Sequence, residues 1–600
     1  MSAKIRRRHQ SRCGYILWKI LSDIDGSTKG CPSIDRPAGS PVRPYELLGD
    51  PESIDTNPGR LSGSSEIISD APQSSGDNDA SGRLEDLDVM NLPSQDTADH
   101  TLGDPADLDP GPSDIPPGDV EDLWLRDTIH LSDLKIAAEF VKGLQGATLD
   151  DPSMGMSKKA LHRLQNPPRD QSPVAIDEVT RLAIDLYMGT TSEDTYERVR
   201  KAFLKFLAVL NFLPDLDIPS YYKIKRLVAS LTGIEPLVHD MCVNSCLAYT
   251  GPFLDLNACP LCSEPRYDRT SLQSSSGWEK IPRQEFHTIP IGPQLQALYR
   301  SPESASRAHY LRNETYRMFA HLDRTDSLDE YSDVLHGTDI IGAFDDGRIN
   351  KDDIVLMFLI DGAQLYAKKA SSCWIYIWVL LNLSPTERYK KNHVFIGGFI
   401  PGPNNPKNLD SFLFPGLQHL VALQKERLRI WDAALQCEVE SKVFLALITA
   451  DGPGMMHITS LVGYHGKHGC RLYCGMQGRR ERQGKHYFPA LLKPLDYDVP
   501  GCMHADIDVE HLPIPSREQY LENLHTVTTL LNNTQYRSRR LATGISKPSI
   551  FSGLDPSSTL GLPYSAGSDI MHLAALNLPD VKATALMCDL HELVVDELSE

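Results

Sequence analysis

The spacing of four cysteines constrains this chain more than any other feature of its sequence. Three residues separate Cys242 from Cys246, two separate Cys259 from Cys262, and twelve lie between the pairs. Pairs at this spacing typically form two knuckles that present four thiolates to one tetrahedral Zn²⁺. Because the chain supplies all four ligands, the predicted ion is structural and not catalytic. The turn-rich sequence between the pairs predicts a small zinc ribbon over residues 239–268.

The charge balance limits the partners that the chain can bind. Its 600 residues include 80 acidic and 60 basic side chains, a net charge of −20. A general polyanion-binding surface is therefore excluded, and any contact with nucleic acid requires a local basic patch. No apolar run reaches the ~18 residues that a membrane span needs. We expect an intracellular protein without a membrane segment.

The N-terminal part of the chain differs in composition from the rest. Residues 1–120 are dense in Ser, Asp, Gly and Pro, and they contain few aromatic side chains. Such a segment buries too little apolar surface to offset the entropy of ordering, so we predict a disordered acidic tail. The basic run at 4–8 has two interpretations, a nuclear-import signal or a solvated basic end.

Helices are predicted on both sides of the cysteines. Apolar residues recur every three or four positions within 121–238, which indicates amphipathic helices. This region is either a helix-turn-helix DNA reader or a plain helical bundle, and the pattern does not separate the two. Residues 269–350 predict a further helical linker region.

Four apolar runs between 352 and 451 predict buried strands, with a helix near Phe412–Arg429 before the fourth. The runs are continuous, so both faces of the sheet should be covered. The first run ends at Asp361 and the fourth at Asp451, each followed by glycine. A β-β-β-α-β order with these aspartates is the arrangement of RNase H-like nucleotidyl-transfer domains, in which the first and fourth strands are neighbours. The alternative is that each Asp-Gly pair is an ordinary turn.

Several motifs carry a family resemblance. Four segments carry this resemblance: DGAQLY from Asp361, NLSPTERYKKNHVFIGGFIPGPNNPKNLDSFLFPGLQHL, the ADGPG around Asp451, and residues 468–474. In these segments the chain resembles CACTA-type (En/Spm) DDE transposases, especially the branch found in mushroom-forming fungi. The cysteine module, followed by PRYD, is similar to the zinc segment upstream of that family's catalytic domain. The similarity covers roughly residues 190–585.

The resemblance implies a function and a set of partners. It implies a core over 351–600 that cuts DNA at transposon ends and joins 3′-hydroxyls to a target by two-metal phosphoryl transfer. Asp361 would be the first carboxylate to bind Mg²⁺ or Mn²⁺, and Asp451 the second. The expected partner is transposon-end DNA, on which such enzymes commonly form homo-oligomers, and the expected location is the nucleus.

The resemblance also implies a second zinc site, inserted into the catalytic core. Cys470 and Cys474 would supply half of it, and His572, together with Asp569, the other half. The spacing of the two cysteines is longer by one residue than in plant relatives, so core thiols are the alternative. Two nearby histidines are alternative ligands: His465 and His468.

A basic segment follows these cysteines and surrounds two aromatic residues, Tyr487 and Phe488. Basic side chains interleaved with aromatic ones suit contact with phosphates and stacking on bases. A solvated charged loop is the alternative. The candidate nucleic-acid contacts are Arg479, Arg480, Arg482 and Lys485.

The expected third carboxylate is the weakest part of the resemblance. A DDE enzyme needs a late glutamate, and after Asp580 the sequence departs from the family pattern, with Glu592 and Glu597 as late substitutes. We therefore expect a truncated, inactive copy. One alternative is a non-catalytic, zinc-dependent DNA- or protein-binding protein derived from a transposase. Another is a fungal transposase lineage of the Kyakuja–Dileera–Zisupton kind.

In total, the sequence predicts a multidomain protein of α+β and α/β type. Its parts are the disordered tail, a helical N-terminal domain, the zinc ribbon, the helical linker and an RNase H-like core with a Cys/His zinc insertion.

Overall fold

The computed structural model describes residues 123–126, 128–169, 176–189, 192–209, 217–364, 372–512 and 514–567. These residues belong to one compact unit. The acidic tail predicted for 1–120 lies outside them. So do four side chains named from the sequence: Asp569, His572, Glu592 and Glu597.

A mixed α/β architecture surrounds a six-stranded sheet whose strand order is β1-β2-β5-β4-β3-β8. Strand β8 is parallel to β3, and the other neighbours are antiparallel. Two separate hairpins, β6–β7 and β9–β10, complete the β structure of the described residues. The strands are β1 (Leu237–Asp240), β2 (Glu285–Thr288), β3 (Ile354–Gln364), β4 (Ser372–Leu380), β5 (Val394–Pro401), β6 (Leu428–Asp432), β7 (Cys437–Ser441), β8 (Val443–Ala450), β9 (Arg479–Arg480) and β10 (Tyr487–Phe488).

The four strands predicted from apolar runs are confirmed as β3, β4, β5 and β8. The sequence did not predict β1 and β2, which extend the sheet beyond β5, and β2 lies in a region where only helices were expected. Each has only four residues, and β2 is held by antiparallel pairing with both neighbours, so no local periodicity marks it. The β6–β7 hairpin was also not predicted.

Helices occupy both ends of the described chain and both faces of the sheet. The helix predicted near Phe412–Arg429 is α12, which begins three residues earlier and ends at Glu426. The helices are α1 (Leu123–Arg126), α2 (Ser132–Gln145), α3 (Lys158–Gln165), α4 (Glu178–Gly189), α5 (Glu193–Val209), α6 (Tyr221–Thr232), α7 (Arg269–Ser274), α8 (Ile291–Tyr299), α9 (Pro302–Ala308), α10 (Tyr310–Thr325), α11 (Thr338–Asp345), α12 (Leu409–Glu426), α13 (Gly452–Thr459), α14 (Arg517–Thr528) and α15 (Asn533–Thr543).

Both faces of the sheet are covered, as the continuous apolar runs predicted. On one face, alternate residues of β3 such as Phe358 pack in the main core with the buried α12. On the other face, Val355 and Phe444 pack with Leu311 and Ile340 of α10 and α11. A strand between two apolar layers has no polar face, and the sequences of β3 and β8 are therefore continuously apolar.

The helices α4, α5 and α6 form a small cluster of their own. Its buried centre is Tyr196, whose hydroxyl donates a hydrogen bond of 2.7 Å to the carbonyl oxygen of Pro219. In the part of the chain that the structure describes, no helix has the length and apolarity that crossing a bilayer requires.

Candidate functional site

Four cysteine sulfurs converge on one point. The Sγ atoms of Cys242, Cys246, Cys259 and Cys262 all lie within 4.8 Å of one another, and Cys242 and Cys262 are 3.5 Å apart. Tetrahedral coordination with Zn–S bonds of ~2.3 Å separates sulfurs by about 3.8 Å. The cluster therefore has the size of a zinc site, as the spacing predicted, and it could bind a metal such as zinc.

Two similar turns bring the sulfurs together. In the first, Ser245 N donates to the carbonyl oxygen of Cys242 (2.8 Å), and in the second Ser263 N donates to that of Cys259 (2.8 Å). Both serines have positive φ, 58° and 61°. This conformation costs energy for a residue other than glycine, so its repetition indicates that the turns are set by the surrounding structure.

The thiols are electrostatically coupled. Cys246 donates a hydrogen bond that lowers the pKa of Cys259 to about 5, and this hydrogen bond, together with burial, raises the pKa of Cys246. Burial raises the pKa of Cys242 to about 11. Four crowded thiols therefore cannot all ionise without a cation, whereas a metal ion stabilises all four thiolates.

The segment between the knuckles is a 3₁₀ turn and not the predicted ribbon. Single bridges, Met241–Ala248 and Ala258–Pro265, replace β-strands. The turn at Gly251–Phe253 places the ring of Phe253 5.5 Å from that of Phe140. The core contact fixes this conformation, because a Cβ at Gly251 would lie only 2.7 Å from the Phe140 ring.

The cysteine module also supports the start of α12. The carbonyl oxygen of Cys246 accepts hydrogen bonds from the backbone of Lys407 (3.1 Å) and Asn408 (2.9 Å). Asn408 caps α12, and its side chain accepts from Ser411 N at 3.0 Å. The hydroxyl of Ser411 in turn accepts from Ala248 N at 2.9 Å. Ordering of the module is thereby coupled to the helix that packs on the central sheet.

The two predicted aspartates lie on or just after neighbouring strands. Asp361 lies within β3, which continues to Gln364 and pairs Asp361 with Ile375 of β4, so the strand does not end at Asp361 as the sequence predicted, whereas Asp451 directly follows β8. Strands β3 and β8 are parallel and pair Ile360 with Ala450, the residues just before Asp361 and Asp451. This confirms the predicted adjacency of the two strands. Adjacent strands are about 4.8 Å apart, so the backbones of the two aspartates lie side by side at the same end of the β3–β8 pair. Asp361 is exposed, and its Oδ1 accepts from Gly362 N at 2.7 Å.

Asp451 has a second role as the N-cap of α13. Its Oδ1 accepts a 2.7 Å hydrogen bond from Gly454 N. Of the two glycines in the Asp-Gly-Pro-Gly sequence, Gly454 is required by space, whereas a side chain at Gly452 would displace only the flexible end of Arg471. A Cβ at Gly454 would lie 2.7 Å from that Oδ1, and a Cβ at Gly452 would lie 2.9 Å from Arg471 Nη2. The motif is therefore a packed strand-to-helix junction with a guanidinium beside it.

Three polar residues near Asp451 were not singled out by sequence reasoning. His457 of α13 packs edge-on against Trp374, with ring centroids 5.8 Å apart. Burial and the charge of Lys547 lower the pKa of His457, while the charges of Asp410 and Asp451 oppose this shift. Asp410 is 2% exposed and forms an ion pair with Lys547. A half-buried imidazole with a lowered pKa and a buried ion pair therefore adjoin this end of the sheet.

No local signal marked these residues, because they come from three separate segments. Asp410 lies in a stretch that carries the family resemblance, but its burial and its pairing with a lysine 137 positions later emerge only in the folded chain.

The second cysteine pair forms one knuckle. Tyr473 N donates to the carbonyl oxygen of Cys470 at 3.0 Å, and the φ of Tyr473 is 53°. This is the same turn as at Cys242–Cys246. Among the described residues, the four-cysteine cluster is the only group of three or more His, Cys, Asp or Glu side chains close enough to share a metal. Because His572 and Asp569 lie outside these residues, the second zinc site stays a prediction.

The basic segment divides into buried and exposed side chains. The guanidinium of Arg479 is 2% exposed and donates to the carbonyl oxygens of Cys502, His504 and Ala505 at 2.8–2.9 Å. Arg480 is half-buried, and Arg482 and Lys485 are exposed. Arg479 therefore holds the segment together internally, and only its neighbours present charge to the solvent.

One protein-family model matches the part of the chain that contains the two aspartates. Residues 348–487 match the model of the Transposase family tnp2. No curated protein sequence matches the chain. The matched segment begins before β3 and ends in the β9–β10 hairpin, so it contains Asp361, α12 and Asp451. The part of this chain that holds the two strand-end aspartates is thus similar to transposases of the tnp2 family.

Proposed function

We propose that the protein is derived from a DNA transposase whose metal-dependent site lies at the shared edge of β3 and β8. The observation that carries the proposal is the parallel pairing of these strands up to Ile360 and Ala450, with an aspartate next on each. The tnp2 similarity of residues 348–487 supports DNA as the partner.

The strand order supports an RNase H-like core. The first four core strands along the chain are β3, β4, β5 and β8. In the sheet they lie in the order β5-β4-β3-β8, so the first core strand is between the second and the fourth. Helix α12 precedes the fourth strand, with the β6–β7 hairpin inserted between them. In that fold, a first and a fourth strand side by side bring together aspartates that are distant in sequence.

Asp361 and Asp451 would hold the divalent ion. Their carboxylate oxygens are hard ligands of the kind that Mg²⁺ and Mn²⁺ prefer. When bound, two such ions stabilise the attacking and leaving oxygens of a phosphoryl transfer. The α13 cap orients Asp451 through the hydrogen bond from Gly454 N, and Arg471 beside Gly452 supplies positive charge near the same junction.

The finer identity follows from the sequence resemblance. We propose a CACTA-type DDE enzyme of the fungal branch, which acts in the nucleus on transposon ends and assembles on DNA. Zinc at the four-cysteine module would be structural, because four protein thiolates leave no open coordination position.

Metal binding tests this proposal independently of activity. We expect the purified protein to bind Mn²⁺ in a titration monitored by electron paramagnetic resonance, and Asp361→Asn or Asp451→Asn to weaken binding at least ten-fold, because each removes a charged ligand. Asp346→Asn, a change at an exposed aspartate on the connection after α11, is the matched control. Equal Mn²⁺ affinity in all four proteins would refute the site.

A second candidate is a zinc-dependent DNA- or protein-binding protein without catalysis. The preassembled cluster of four thiols favours it, because that module is complete from one short segment. Nicking of CACTA-ended DNA in Mn²⁺ separates the candidates. Nicking that Asp361→Asn abolishes identifies the enzyme. DNA binding that persists without such nicking identifies the binding protein, and it agrees with the inactive copy expected from the sequence.

A further inference from the structure

Helix α15 has almost no buried face. Of its eleven residues, only Thr543 is buried and only Tyr536 is half-buried. A helix that is polar on nearly all sides is not explained by core packing. Its sequence, NTQYRSRRLAT, contains three arginines and no acidic residue, in a chain whose net charge is −20.

The three arginines, Arg537, Arg539 and Arg540, are exposed. Within the described ranges, no carboxylate lies within 4.0 Å of their guanidinium nitrogens, in contrast to Arg388 and Arg266, which pair with Asp333 and Asp240. Among the described residues, Arg540 donates to the hydroxyl of Ser546, at 3.1 Å. The helix therefore displays three positive charges that no described acidic side chain neutralises.

The residues after α15 run toward the end of the sheet that carries Asp361 and Asp451, called here the aspartate edge. The carbonyl oxygen of Gly544, the C-cap of α15, accepts from Val462 N at 2.8 Å, just after α13. Ser546 N donates to Ser460 O at 2.9 Å, and the hydroxyl of Ser549 donates to Ile458 O at 2.6 Å. Residues 544–549 thus run back along α13, and Lys547 reaches Asp410 beside His457.

These contacts set a length scale. Helix α13 has eight residues, so it spans about 12 Å from Asp451 to the end that contacts α15. The three arginines occupy the next two turns of α15, about 6–10 Å further along the chain path. Both distances together are shorter than one turn of B-DNA, about 34 Å. A duplex with one phosphate at the aspartates could therefore reach α15 within the same turn.

The β9–β10 hairpin borders the same region. Tyr487 N donates to His465 O at 3.0 Å, and a Cβ at Gly544 would lie 2.7 Å from the Cβ of His468. The segment 465–468 therefore contacts both the hairpin, with exposed Arg482 and Lys485, and the end of α15.

We propose that the arginines of α15 bind the phosphate backbone of duplex DNA and align it with the Asp361–Asp451 edge. This inference rests on the proposed function for the choice of partner. Three unpaired guanidinium groups on a rigid helix suit phosphates, because arginine donates in a fixed fork that matches phosphate oxygens. Contacts of this kind position DNA without reading its sequence.

The test measures the salt dependence of DNA binding. The protein is titrated with a fluorescent 40-base-pair duplex of arbitrary sequence in buffer without Mg²⁺ or Mn²⁺, between 0.05 and 0.2 M NaCl. Each lost phosphate contact reduces the slope of log K against log[salt] by about 0.9 and lowers affinity roughly 5- to 10-fold at 0.1 M salt. The triple variant R537Q/R539Q/R540Q should thus reduce the slope by about 2.7.

The double variant R537Q/R539Q guards against an effect on folding, because it leaves the Arg540–Ser546 contact intact. It should reduce the slope by about 1.8. The matched control, R324Q/K390Q/K391Q, removes the same charge elsewhere: Arg324 is on α10, across the sheet from α13, and the two lysines follow β4 at the end opposite Asp361. An unchanged slope in the double variant, an equal change in the control, or no duplex binding by the wild type would overturn the inference.

The Asp361→Asn variant separates this inference from the proposed function. It should bind the duplex at least as tightly as the wild type does, since metal is absent and the change removes a negative charge from the edge that faces the DNA. Loss of DNA binding on arginine replacement, combined with unaltered Mn²⁺ affinity in the aspartate variants, would support the DNA surface and refute the metal site. Unchanged DNA binding in the arginine variants, combined with weakened Mn²⁺ binding in the aspartate variants, would support the metal site and refute the role of α15.

Discussion

Two Cys-x3-Cys turns in this protein adopt the same local conformation, and among the described residues the first of them belongs to a cluster of four possible metal ligands. At Cys242–Cys246 and at Cys470–Cys474, the residue before the second cysteine has a positive φ and donates its N–H to the first cysteine's carbonyl oxygen. The first turn faces the Cys259–Cys262 knuckle, twelve residues on. For the second turn, the partners implied by the resemblance lie about a hundred residues away. Spacing predicts a metal site reliably when all ligands share one segment.

The two regions also differ in what they support. The four-cysteine module contributes Cys242, Cys246 and Cys259 to the main core and holds the start of α12. The segment after Cys474 is instead organised around the buried guanidinium of Arg479 and three carbonyl oxygens. A defect in the first region should therefore spread to the sheet, whereas one in the second should stay local.

The largest expected effect is from Cys246→Ser in the four-cysteine module. Structural zinc contributes roughly 10–16 kcal/mol of apparent binding free energy in zinc-finger peptides. Loss of one ligand should therefore lower the free energy of unfolding by more than about 5 kcal/mol and release about one zinc ion per chain. Thermal unfolding together with zinc analysis by mass spectrometry measures both changes.

Cys437→Ser, at an exposed cysteine in β7, is the control and should change neither quantity. The double change Cys470→Ser/Cys474→Ser sharpens the comparison. If this double variant contains one zinc ion fewer but unfolds at the wild-type temperature, the second zinc site is established. If its zinc content is unchanged, Cys470 and Cys474 are core thiols. A Cys246→Ser protein with full zinc content would contradict the four-thiolate site.

An intermediate effect is expected from Lys547→Met, because this lysine connects the two regions. Its neighbour Gly544 packs on His468 near the second turn, and its ammonium group pairs with Asp410 on the helix that the module supports. Removal of one partner of a buried ion pair leaves an uncompensated charge and costs about 3–5 kcal/mol. Urea unfolding monitored by tryptophan fluorescence measures the change in the free energy of unfolding.

The double variant Lys547→Met/Asp410→Asn should recover part of this loss, since the unpaired carboxylate is then removed. If the double variant were less stable than the single one by the full cost of a second independent defect, the two residues would not be acting as a pair.

The smallest expected effect is from Arg479→Gln. Its three charge-assisted hydrogen bonds all go to carbonyl oxygens within one loop, so their loss should open that loop locally and change the global free energy of unfolding least among these variants. The loss should raise amide hydrogen exchange across 476–511 and leave β3 and β8 protected. Arg482→Gln, at an exposed position, should leave exchange unchanged, and equal exchange in both variants would refute the structural role of Arg479.

The sequence by itself determined the elements that depend on short-range pattern. The spacing of four cysteines predicted the cluster, because hydrogen-bonded turns within 21 residues place the sulfurs. The unbroken apolar runs predicted β3, β4, β5 and β8, since burial on both faces excludes polar residues from such strands. The Asp-Gly pairs after two of the apolar runs marked Asp361, within β3, and Asp451, just after β8, on the two strands that prove to be parallel neighbours.

Only the tertiary structure decided the rest. Strands β1 and β2 are too short to show a period, and their pairing partners define them. Burial separates Arg479 from Arg482, although both lie in one basic run, because carbonyl oxygens from 502–505 happen to converge on the former. Asp410, His457 and Lys547 meet from three segments, and the residues that follow α15 form backbone hydrogen bonds with Ser460 and Val462 just after α13. Long-range contacts of this kind leave no periodic trace in the sequence, since each depends on how distant segments pack.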